Sequence, residues 1–251
     1  EGTLVNDGLS TTKIEDVKEN YFVSKVINNG KKEVVEVVTD KGYSVQCTPE
    51  HRVKTTNRGF VEARNLTQED NIVLSPMLFG KEVVTIEGKF LFSKLKIDIT
   101  ERLAEFIGVY MGDGDFYYKD ENGQSSSPSV GVACDRQCPD FIDYVCGLYD
   151  EFLGGFGQKI SGNKKGCVYV RKNNKNFKIL FELLDLIRLR ESGNGYKRKI
   201  HVPIYIFNSP KNVIAGFLKG IFETDGFVDT DGRRVILFSK YKKFLQDIQL
   251  L

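Results

Sequence analysis

Two segments far apart in the chain share one sequence pattern, and this internal repeat constrains the protein more than any other feature. Each segment is an apolar stretch of helical character that ends in Asp-Gly, the first at Asp113-Gly114 and the second at Asp225-Gly226. One carboxylate rarely forms a binding site, whereas two carboxylates that meet on a pseudo-twofold axis can hold a divalent cation. The repeat therefore predicts that the two aspartates share one site.

Small residues recur at every fourth position in both segments, which places them on one face of each predicted helix. They are Ala104, Gly108 and Gly112 in the first segment, and Gly216, Gly220 and Thr224 in the second. An interior glycine costs a helix about 0.5–1 kcal/mol, so close approach of another backbone is its evident benefit. The pattern predicts that the two helices pack against each other, with Asp113 and Asp225 side by side at their ends.

The predicted pair of aspartates is an unfavourable arrangement unless a cation is present. A helix C-terminus carries partial negative charge, and two ionised carboxylates placed there repel each other. Oxygen ligands with open coordination positions suit Mg²⁺, whose shell is completed by water and phosphate oxygens. We therefore expect Mg²⁺ or another divalent cation at this site. The alternative is a packed helix pair followed by two Asp-Gly turns, without a metal.

The segments Phe106–Gly114 and Leu218–Gly226 resemble the nine-residue signature of the LAGLIDADG homing endonucleases. The resemblance implies an α+β fold in which pseudo-twofold αββαββα units place curved antiparallel sheets over a central helix pair. It also implies metal-dependent, site-specific cleavage of double-stranded DNA at a long asymmetric target. By the same resemblance, Asp113 and Asp225 are catalytic and bind the metal, and the backbone carbonyls of Gly112 and Thr224 are further ligands.

Many members of this family place a basic residue near the attacking water, often a lysine just before Val-Pro or Ile-Pro. The run that ends in Val202-Pro203 occupies that place, with Lys199 as the first candidate and Lys197 as the second. The alternative for Lys199 is a surface lysine that contacts phosphate. His201 is expected to be a turn or surface residue rather than a ligand.

The charge distribution favours a nucleic-acid partner more than the net charge of +2 does. Residues 159–199 contain twelve Lys and Arg against three acids, a footprint that can neutralise phosphates or form a solvated basic face. Sequence readout would come from alternate strand residues in the major groove, and each can equally contact phosphate or solvent. The candidates for DNA contact are Tyr117, Lys119, Arg171, Lys172, Lys197, Arg233, Arg234 and Lys240.

Residues 1–78 differ from the rest of the chain in being dense in β-branched residues and turn signals. Short strands are predicted at Gly2–Val5, 22–26, 33–39 and 43–47, and the turn signals are Asn28-Asn29-Gly30 and Lys41-Gly42. This part of the chain is therefore predicted to be all-β, with no long helix.

The motif Thr48-Pro-Glu-His51 follows the last of these strands and resembles the Thr-x-x-His motif of inteins, whose splicing domain has the Hint fold. Gly59–Ile72 matches the strand-and-turn continuation of that domain, and Gly2–Val5 with Lys13–Val17 matches its opening block. The resemblance implies that His51 contacts the scissile amide and that Thr48 assists. Acyl transfer to a side chain requires protonation of the departing nitrogen and stabilisation of an oxyanion. The alternatives are a turn histidine bonded to a carbonyl and an ordinary turn hydroxyl.

Two parts of the intein pattern are not found in the sequence. The nucleophile of the first block would lie a few residues before Thr3, and the terminal His-Asn block is missing. We expect that this chain cannot complete splicing alone. Its expected partners are the host protein exteins in a precursor and double-stranded DNA, with a second polypeptide as one source of the missing C-terminal part.

The predicted organisation is a Hint-like N-terminal splicing half at 1–78, a connector at 79–99, and two endonuclease halves at 100–208 and 209–251. In the first half, helices are predicted from Thr100 as N-cap, at 139–153 and at about 176–189, with strand pairs between them. The second half opens with Ser209 as N-cap and ends in a helix at 241–251. It is expected to lack the last two strands and the final helix of its unit.

The remaining features restrict the class of protein. The five cysteines show no paired Cys-x-x-Cys spacing and there are two histidines, so no zinc site is predicted. No apolar run approaches the roughly 20 residues of a membrane span, and an intracellular setting, in the cytoplasm or the nucleoid or nucleus of a host, is expected. The competing interpretations are a splicing element with a decayed, DNA-binding-only nuclease, an RNA maturase or non-cleaving DNA binder, and a purely autoprocessing element.

Overall fold

The computed structural model describes residues 4–6, 11–13, 30–74, 79–80, 82–90, 93–117, 120–121, 124–125, 127–154, 158–161, 166–189, 196–198 and 200–251. The chain divides into two compact units. Thr12–Leu78 makes up most of the first unit and Phe79–Gln249 most of the second. A few residues near the chain ends belong to the unit at the opposite end of the sequence. Among the described residues, no helix has the length and apolar character needed to span a membrane.

The first unit is built from short strands, as its composition predicts. They are β1 (Leu4–Asn6), β2 (Thr11–Lys13), β3 (Val35–Val38), β4 (Ser44–Cys47), β5 (Arg52–Thr55) and β6 (Gly59–Glu62), followed by a 3-10 turn at Ala63–Asn65. β3 pairs with β4 and β5 with β6, both antiparallel. Gly42 and Gly59 have φ of +85° and +69°, a conformation that glycine adopts without strain. The strand predicted at 22–26 lies outside the described residues.

A buried carboxylate holds the β5–β6 turn against the loop that follows. The side chain of Asp70 is 1% exposed and accepts hydrogen bonds from the guanidinium of Arg58 and from the backbone N–H of Thr67, the latter at 2.8 Å. The Arg58 guanidinium, together with the Thr67 N–H, holds the pKa of Asp70 well below its ordinary value. A carboxyl group with a lowered pKa stabilises the folded state only while it is ionised.

We predict that this carboxylate makes the first unit acid-sensitive. The stabilisation is fully present above the unfolded-state pKa of about 3.9 and is lost as pH falls toward the lower folded-state pKa. Urea unfolding midpoints should therefore separate the wild-type chain from Asp70→Asn at neutral pH. They should draw together as the pH falls below about 3.9 toward the lower folded-state pKa. Asp40→Asn, at an exposed carboxylate, is the control expected to change little. A difference that is independent of pH would contradict the prediction.

The second unit opens with an antiparallel hairpin of β7 (Thr85–Phe90) and β8 (Ser93–Asp98). The segment 79–99 therefore contains regular structure where the sequence predicted only a connector. Ile86, Leu95 and Ile97 alternate with exposed residues and are half-buried, which is the period-2 pattern of a strand with one covered face. The same alternation of apolar and polar residues is visible in the sequence of this segment.

The first helix-and-strand unit follows the predicted order. Its elements are α1 (Glu101–Asp113), β9 (Gly114–Tyr117), β10 (Asp120–Glu121), β11 (Gln124–Ser125), β12 (Ser129–Asp135), α2 (Pro139–Leu153), β13 (Gln158–Ser161), β14 (Cys167–Asn173) and α3 (Phe177–Leu183). Four strands form one antiparallel sheet in the order β13-β14-β12-β9. Val130, Val132 and Val170 are fully buried on one face of this sheet, on which α2 packs.

The rest of the unit begins with two short strands and leads to the second repeat. The elements are β15 (Ile187–Leu189), β16 (Tyr196–Arg198), α4 (Ile204–Phe207), α5 (Lys211–Asp225), β17 (Gly226–Val228), β18 (Val235–Leu237) and α6 (Lys242–Leu250). The helix predicted to reach 189 ends at Leu183. Asp185 has φ of +57°, a left-handed conformation that aspartate tolerates and that a helix does not continue through.

The two predicted helix caps have different outcomes. Thr100 caps α1, since its side chain accepts a hydrogen bond from the Leu103 N–H at 3.2 Å. Ser209 does not cap α5, because Pro210 is still extended and occupies the N-cap position itself. The Ser209 hydroxyl instead donates to the Tyr205 carbonyl at 2.8 Å, in a buried site. The Ser-Pro prediction was therefore wrong by one residue.

Candidate metal centre at the paired helix ends

The helices α1 and α5 pack through their glycines, as the repeat predicts. A Cβ atom added to Gly108 would lie 3.0 Å from the Gly220 Cα and 2.9 Å from the Ile221 nitrogen. A Cβ added to Gly220 would lie 3.0 Å from the Gly108 Cα and 2.7 Å from the Val109 nitrogen. Val109 and Ile221 occupy equivalent positions in the two repeats, so these contacts are reciprocal. They are the contacts expected of a pseudo-twofold axis that passes between the two glycines.

The contacts on either side of this crossing show that the two helices run in the same direction. Near the start of α1, a Cβ on Gly216 would meet the backbone of Glu101. At the other end, a Cβ on Gly112 would meet the side chain of Thr224. The Thr224 hydroxyl is turned back onto its own helix, where it donates to the Ile221 carbonyl at 2.9 Å. The C-terminal ends of α1 and α5 therefore meet at Gly112 and Thr224.

Asp113 and Asp225 each come one residue after this contact and so lie at the same end of the helix pair. Successive Cα atoms are about 3.8 Å apart, which keeps both aspartates close to the contact. Asp113 is exposed and Asp225 is half-buried.

The repeat extends to the turn that follows each aspartate. Gly114 (φ −79°, ψ 153°) and Gly226 (φ −92°, ψ 157°) are both extended. Their N–H groups donate to the carbonyls of Tyr110 and Phe222 at equivalent positions of the two helices. Glycine is suited to these turns because a Cβ would collide with the same Tyr110 and Phe222, and not because φ is positive.

This arrangement offers only oxygen ligands to a cation. Two carboxylates stand at the negative ends of two helix dipoles, and the carbonyls of the last helical turn point out of the same ends. Such hard donors fit Mg²⁺ or Ca²⁺. Within the described part of the chain, no cluster of three or more His, Cys, Asp or Glu could hold a metal. A cation at the helix ends would therefore share its shell with carbonyl, water or phosphate oxygens.

The nearby thiol of Cys134 is not suited to metal binding. Burial, reinforced by the negative charge of Asp113, raises the pKa of Cys134 to about 12. A thiol with that pKa stays protonated at neutral pH, whereas the thiolate is the form that binds metals.

The sequence reasoning did not identify Glu105, a buried carboxylate that joins three helices. Glu105 is 2% exposed and accepts hydrogen bonds from Lys219 on α5 and Tyr144 on α2, both at 2.6 Å, and from Arg102 at 2.5 Å. Burial opposes its ionisation, but these donors outweigh burial and keep its pKa below the ordinary value. The signal in the sequence was a charged residue inside an apolar helical pattern.

The structure separates two candidates for DNA contact that are adjacent in sequence. Arg171 lies opposite Gly131 on the face of the sheet away from α2, and its side chain pairs with Asp115. Lys172 lies opposite the buried Val130, and its ammonium donates to the Gly154 carbonyl at the end of α2. Successive strand residues face opposite sides, so the pair cannot bind DNA from one surface. A DNA contact by Lys172 stays a prediction.

The other candidates are exposed where the structure describes them. Tyr117, at the end of β9, is 54% exposed. The side chains of Arg233 and Arg234, in the turn between β17 and β18, are 83% and 75% exposed, and both backbone N–H groups donate to Asp229. The Lys240 ammonium lies 5.1 Å from the ring centroid of Tyr241.

Three candidate lysines have no described side chain. The backbone of Lys197 lies on β16 opposite Arg188. Lys119 and Lys199 lie outside the described residues. The roles assigned to these three residues stay predictions.

The two candidate splicing residues lie at the ends of one turn. The Thr48 carbonyl accepts the His51 N–H at 2.9 Å, and the His51 carbonyl accepts the Ala63 N–H at 2.8 Å. His51 is exposed. In the second unit, His201 contacts Asp185 at 2.9 Å and is partly exposed, as expected of a surface histidine.

Residues 212–251, which include α5 and Asp225, match the family described as the LAGLIDADG-like domain. The match begins within α5, the second helix of the repeat, and continues through the strands and the helix that follow it.

Several curated proteins are similar to most of the chain. A probable translation initiation factor IF-2 of Thermococcus kodakarensis is 28% identical over 289 residues, which covers 94% of this chain and 25% of that protein. Ribonucleoside-diphosphate reductase NrdEB subunit alpha of Bacillus subtilis is 24% identical, covering 87% and 19%. A DNA polymerase of Thermococcus kodakarensis is 29% identical, covering 72% and 10%. The chain therefore spans a quarter or less of the length of these relatives.

Solved structures of the homing endonuclease I-DmoI are also similar to part of the chain. The complex of I-DmoI with DNA and Ca is 19% identical, with a TM-score of 0.40 over 60% of this chain and 69% of that one. A variant in complex with nicked target DNA and Mn is 17% identical, with a TM-score of 0.42 over 60% and 74%.

Proposed function

We propose that the chain is an intein-encoded homing endonuclease, which cleaves double-stranded DNA at a specific long site and is joined to the N-terminal half of a protein-splicing domain. The observation that carries the endonuclease proposal is the glycine-packed, parallel pair of α1 and α5. It brings Asp113 and Asp225 to the same end of the molecule's second unit. The LAGLIDADG-like match over 212–251 supports the same interpretation of the helix pair.

Each residue of the proposed site has a role that follows from its chemistry. Asp113 and Asp225 hold a divalent cation, with the carbonyls of Gly112 and Thr224 as further ligands. When bound, the cation activates water and stabilises the leaving 3′ oxygen at a scissile phosphate. Lys199 would orient or deprotonate the attacking water, with Lys197 as the second candidate. Exposed Tyr117, Arg233, Arg234 and Lys240 would contact DNA, with Lys119 as a further candidate.

The range of relatives supports the intein part of the proposal. Most of this chain is similar to parts of an initiation factor, a ribonucleotide reductase and a DNA polymerase, which share no named activity. A segment common to such different proteins does not account for what any one of them is named for. An element inserted into host proteins is the arrangement that fits this distribution. The turn that joins Thr48 to His51 would then serve the acyl shift at the upstream junction.

Cleavage of a randomised duplex-DNA library in Mg²⁺ tests the endonuclease. We expect double-strand breaks enriched at one long asymmetric sequence, and none when EDTA replaces Mg²⁺. Specific binding without breaks would instead support a splicing element with a decayed nuclease that only binds DNA. If the chain neither binds nor cleaves any duplex, the proposal is contradicted.

Thioester formation tests the splicing half. In a precursor with a reporter domain and a cysteine placed before Glu1, added dithiothreitol should release the reporter. We expect His51→Ala to slow this release about 100-fold or more, because general acid catalysis contributes about 10²–10⁴-fold. Glu50→Ala, at an exposed neighbour in the same turn, is the matched control. Equal release rates in both variants would contradict the role of His51.

A further inference from the structure

One row of residues crosses three strands directly beside the helix end that carries Asp113. Asp115 on β9 lies opposite Gly131 on β12, and Gly131 lies opposite Arg171 on β14. The two charged residues thus flank a glycine on the face of the sheet away from α2. Their side chains can meet only by passing over the middle strand.

They do meet there, in a two-oxygen ion pair. Arg171 Nη2 donates to Asp115 Oδ1 at 2.7 Å and to Oδ2 at 2.8 Å. Arg171 Nη1 donates to Ser129 Oγ at 3.1 Å, and the guanidinium carbon lies 5.4 Å from the centroid of the Tyr169 ring. The Arg171 side chain is 19% exposed, against 41% for Asp115. The guanidinium is therefore held from three directions by the sheet itself.

Gly131 is what allows this bridge to form. A Cβ at Gly131 would lie 2.5 Å from Asp115 Oδ1 and 2.8 Å from Arg171 Nη2. A side chain at this position would force the carboxylate of Asp115 and the guanidinium of Arg171 to shift from this geometry. The backbone conformation does not require glycine at position 131, because its φ is not positive.

We propose that Asp115 and Arg171 form a positioning bridge that fixes the start of β9 and, through Gly114, the direction in which Asp113 leaves α1. Asp113 ends a helix held by α5, and β9 begins at the next residue. The bridge holds the chain at Asp115, two residues after Asp113. The consequence for cleavage rests on the proposed function, because a displacement of about 1 Å in a catalytic group can lower a rate about 100-fold.

The bridge gives Arg171 a different role from the DNA contact predicted from sequence. An arginine that binds phosphate must present free donors. Each such contact adds about 0.9 to the magnitude of the slope of log K against log salt concentration, here called the salt slope. The Nη2 group of Arg171 is occupied by Asp115 and its charge is compensated locally. In this role Arg171 adds little to that salt dependence.

Amide hydrogen exchange without DNA tests the bridge independently of any activity. Asp115→Asn and Arg171→Gln should each speed the exchange of the Gly114–Tyr117 amides about ten-fold or more, with the α5 amides unchanged. The charge-exchanged variant, Asp115→Arg with Arg171→Asp, should restore part of the protection. Unchanged exchange at 114–117 in both single variants would overturn the proposal.

DNA binding and cleavage separate the bridge from a direct contact. With a 30-base-pair mixed-sequence duplex in Ca²⁺, Arg171→Gln should keep the wild-type salt slope, whereas Arg233→Gln should lower it by about 0.9. In Mg²⁺, Arg171→Gln should lower kcat about ten-fold or more with little change in KM, and the charge-exchanged variant should recover part of it. A lower salt slope for Arg171→Gln would overturn the proposal. If the wild-type chain does not cleave DNA, the proposed function fails, and the exchange data alone decide on the bridge.

Discussion

Replacement of either Asp113 or Asp225 by asparagine is expected to lower Mg²⁺-dependent double-strand cleavage at least about 1,000-fold. The two carboxylates leave adjacent helix ends and have few substitutes, because no larger acidic cluster surrounds them in the described residues. An asparagine keeps the shape of the side chain but removes the charge that a hard cation requires. Each single variant should therefore be nearly as defective as the double variant.

The same variants make a second measurement possible, which does not depend on finding the DNA target. A metal that binds only the folded state raises its stability by about 1.4 kcal/mol at a tenfold excess over Kd. The thermal midpoint of the wild-type chain should rise with Mn²⁺ or Mg²⁺, and those of Asp113→Asn and Asp225→Asn should not. Asp40→Asn, at an exposed carboxylate of the first unit, should respond like the wild type. Undiminished cleavage by either variant would refute the two-aspartate site.

Gly220→Ala is expected to destabilise the second unit by about 1–3 kcal/mol, although alanine is the better helix former. The added methyl group would lie 2.7 Å from the Val109 nitrogen and 3.0 Å from the Gly108 Cα, both backbone atoms that cannot turn aside. The two helices would have to separate. Gly108→Ala should act alike, and the double variant should fall short of the sum because both changes disturb one contact.

Gly147→Ala is the matched control for this prediction. Gly147 lies inside α2, is exposed, and has no atom within 4 Å of the position of an added Cβ. The same substitution there should stabilise the protein by about 0.5–1 kcal/mol. Urea unfolding of Gly220→Ala, Gly108→Ala and Gly147→Ala measures these changes in the free energy of unfolding. If Gly220→Ala also stabilises the protein, α1 and α5 do not pack as closely as described.

Sequence signals predicted best those features that depend on interactions within a few residues, such as helix faces and helix caps. The small residues spaced four apart around Gly108, and those around Gly220, predicted the helix contact. A helix brings residues with this spacing to one face whatever surrounds it. Thr100 was predicted as the cap of α1 and is that cap. The prediction failed by one residue at Ser209, where the extended Pro210 takes the cap position. It also failed at the end of α3, where Asp185 adopts a left-handed conformation.

Contacts between distant residues could not be predicted in the same way. The role of Glu105 could not be predicted, because Lys219 and Tyr144 meet it from two other helices. The ion pair of Arg171 with Asp115 could not be predicted either, because only the sheet brings the two side chains within reach. The hairpin at Thr85–Asp98 was predicted only as a connector, although its alternation of apolar and polar residues is visible in the sequence.

The sequence by itself determined that two equivalent helices end in Asp-Gly and must pack through glycines, because helical periodicity and the absence of a side chain act within a few residues. Only the tertiary structure decided that the Thr224 side chain meets Gly112, that Asp115 pairs with Arg171, and that Lys172 turns away from the face of Arg171. Those facts depend on strand register and helix direction. They arise when residues far apart in the chain bury surface together, and no local pattern encodes them.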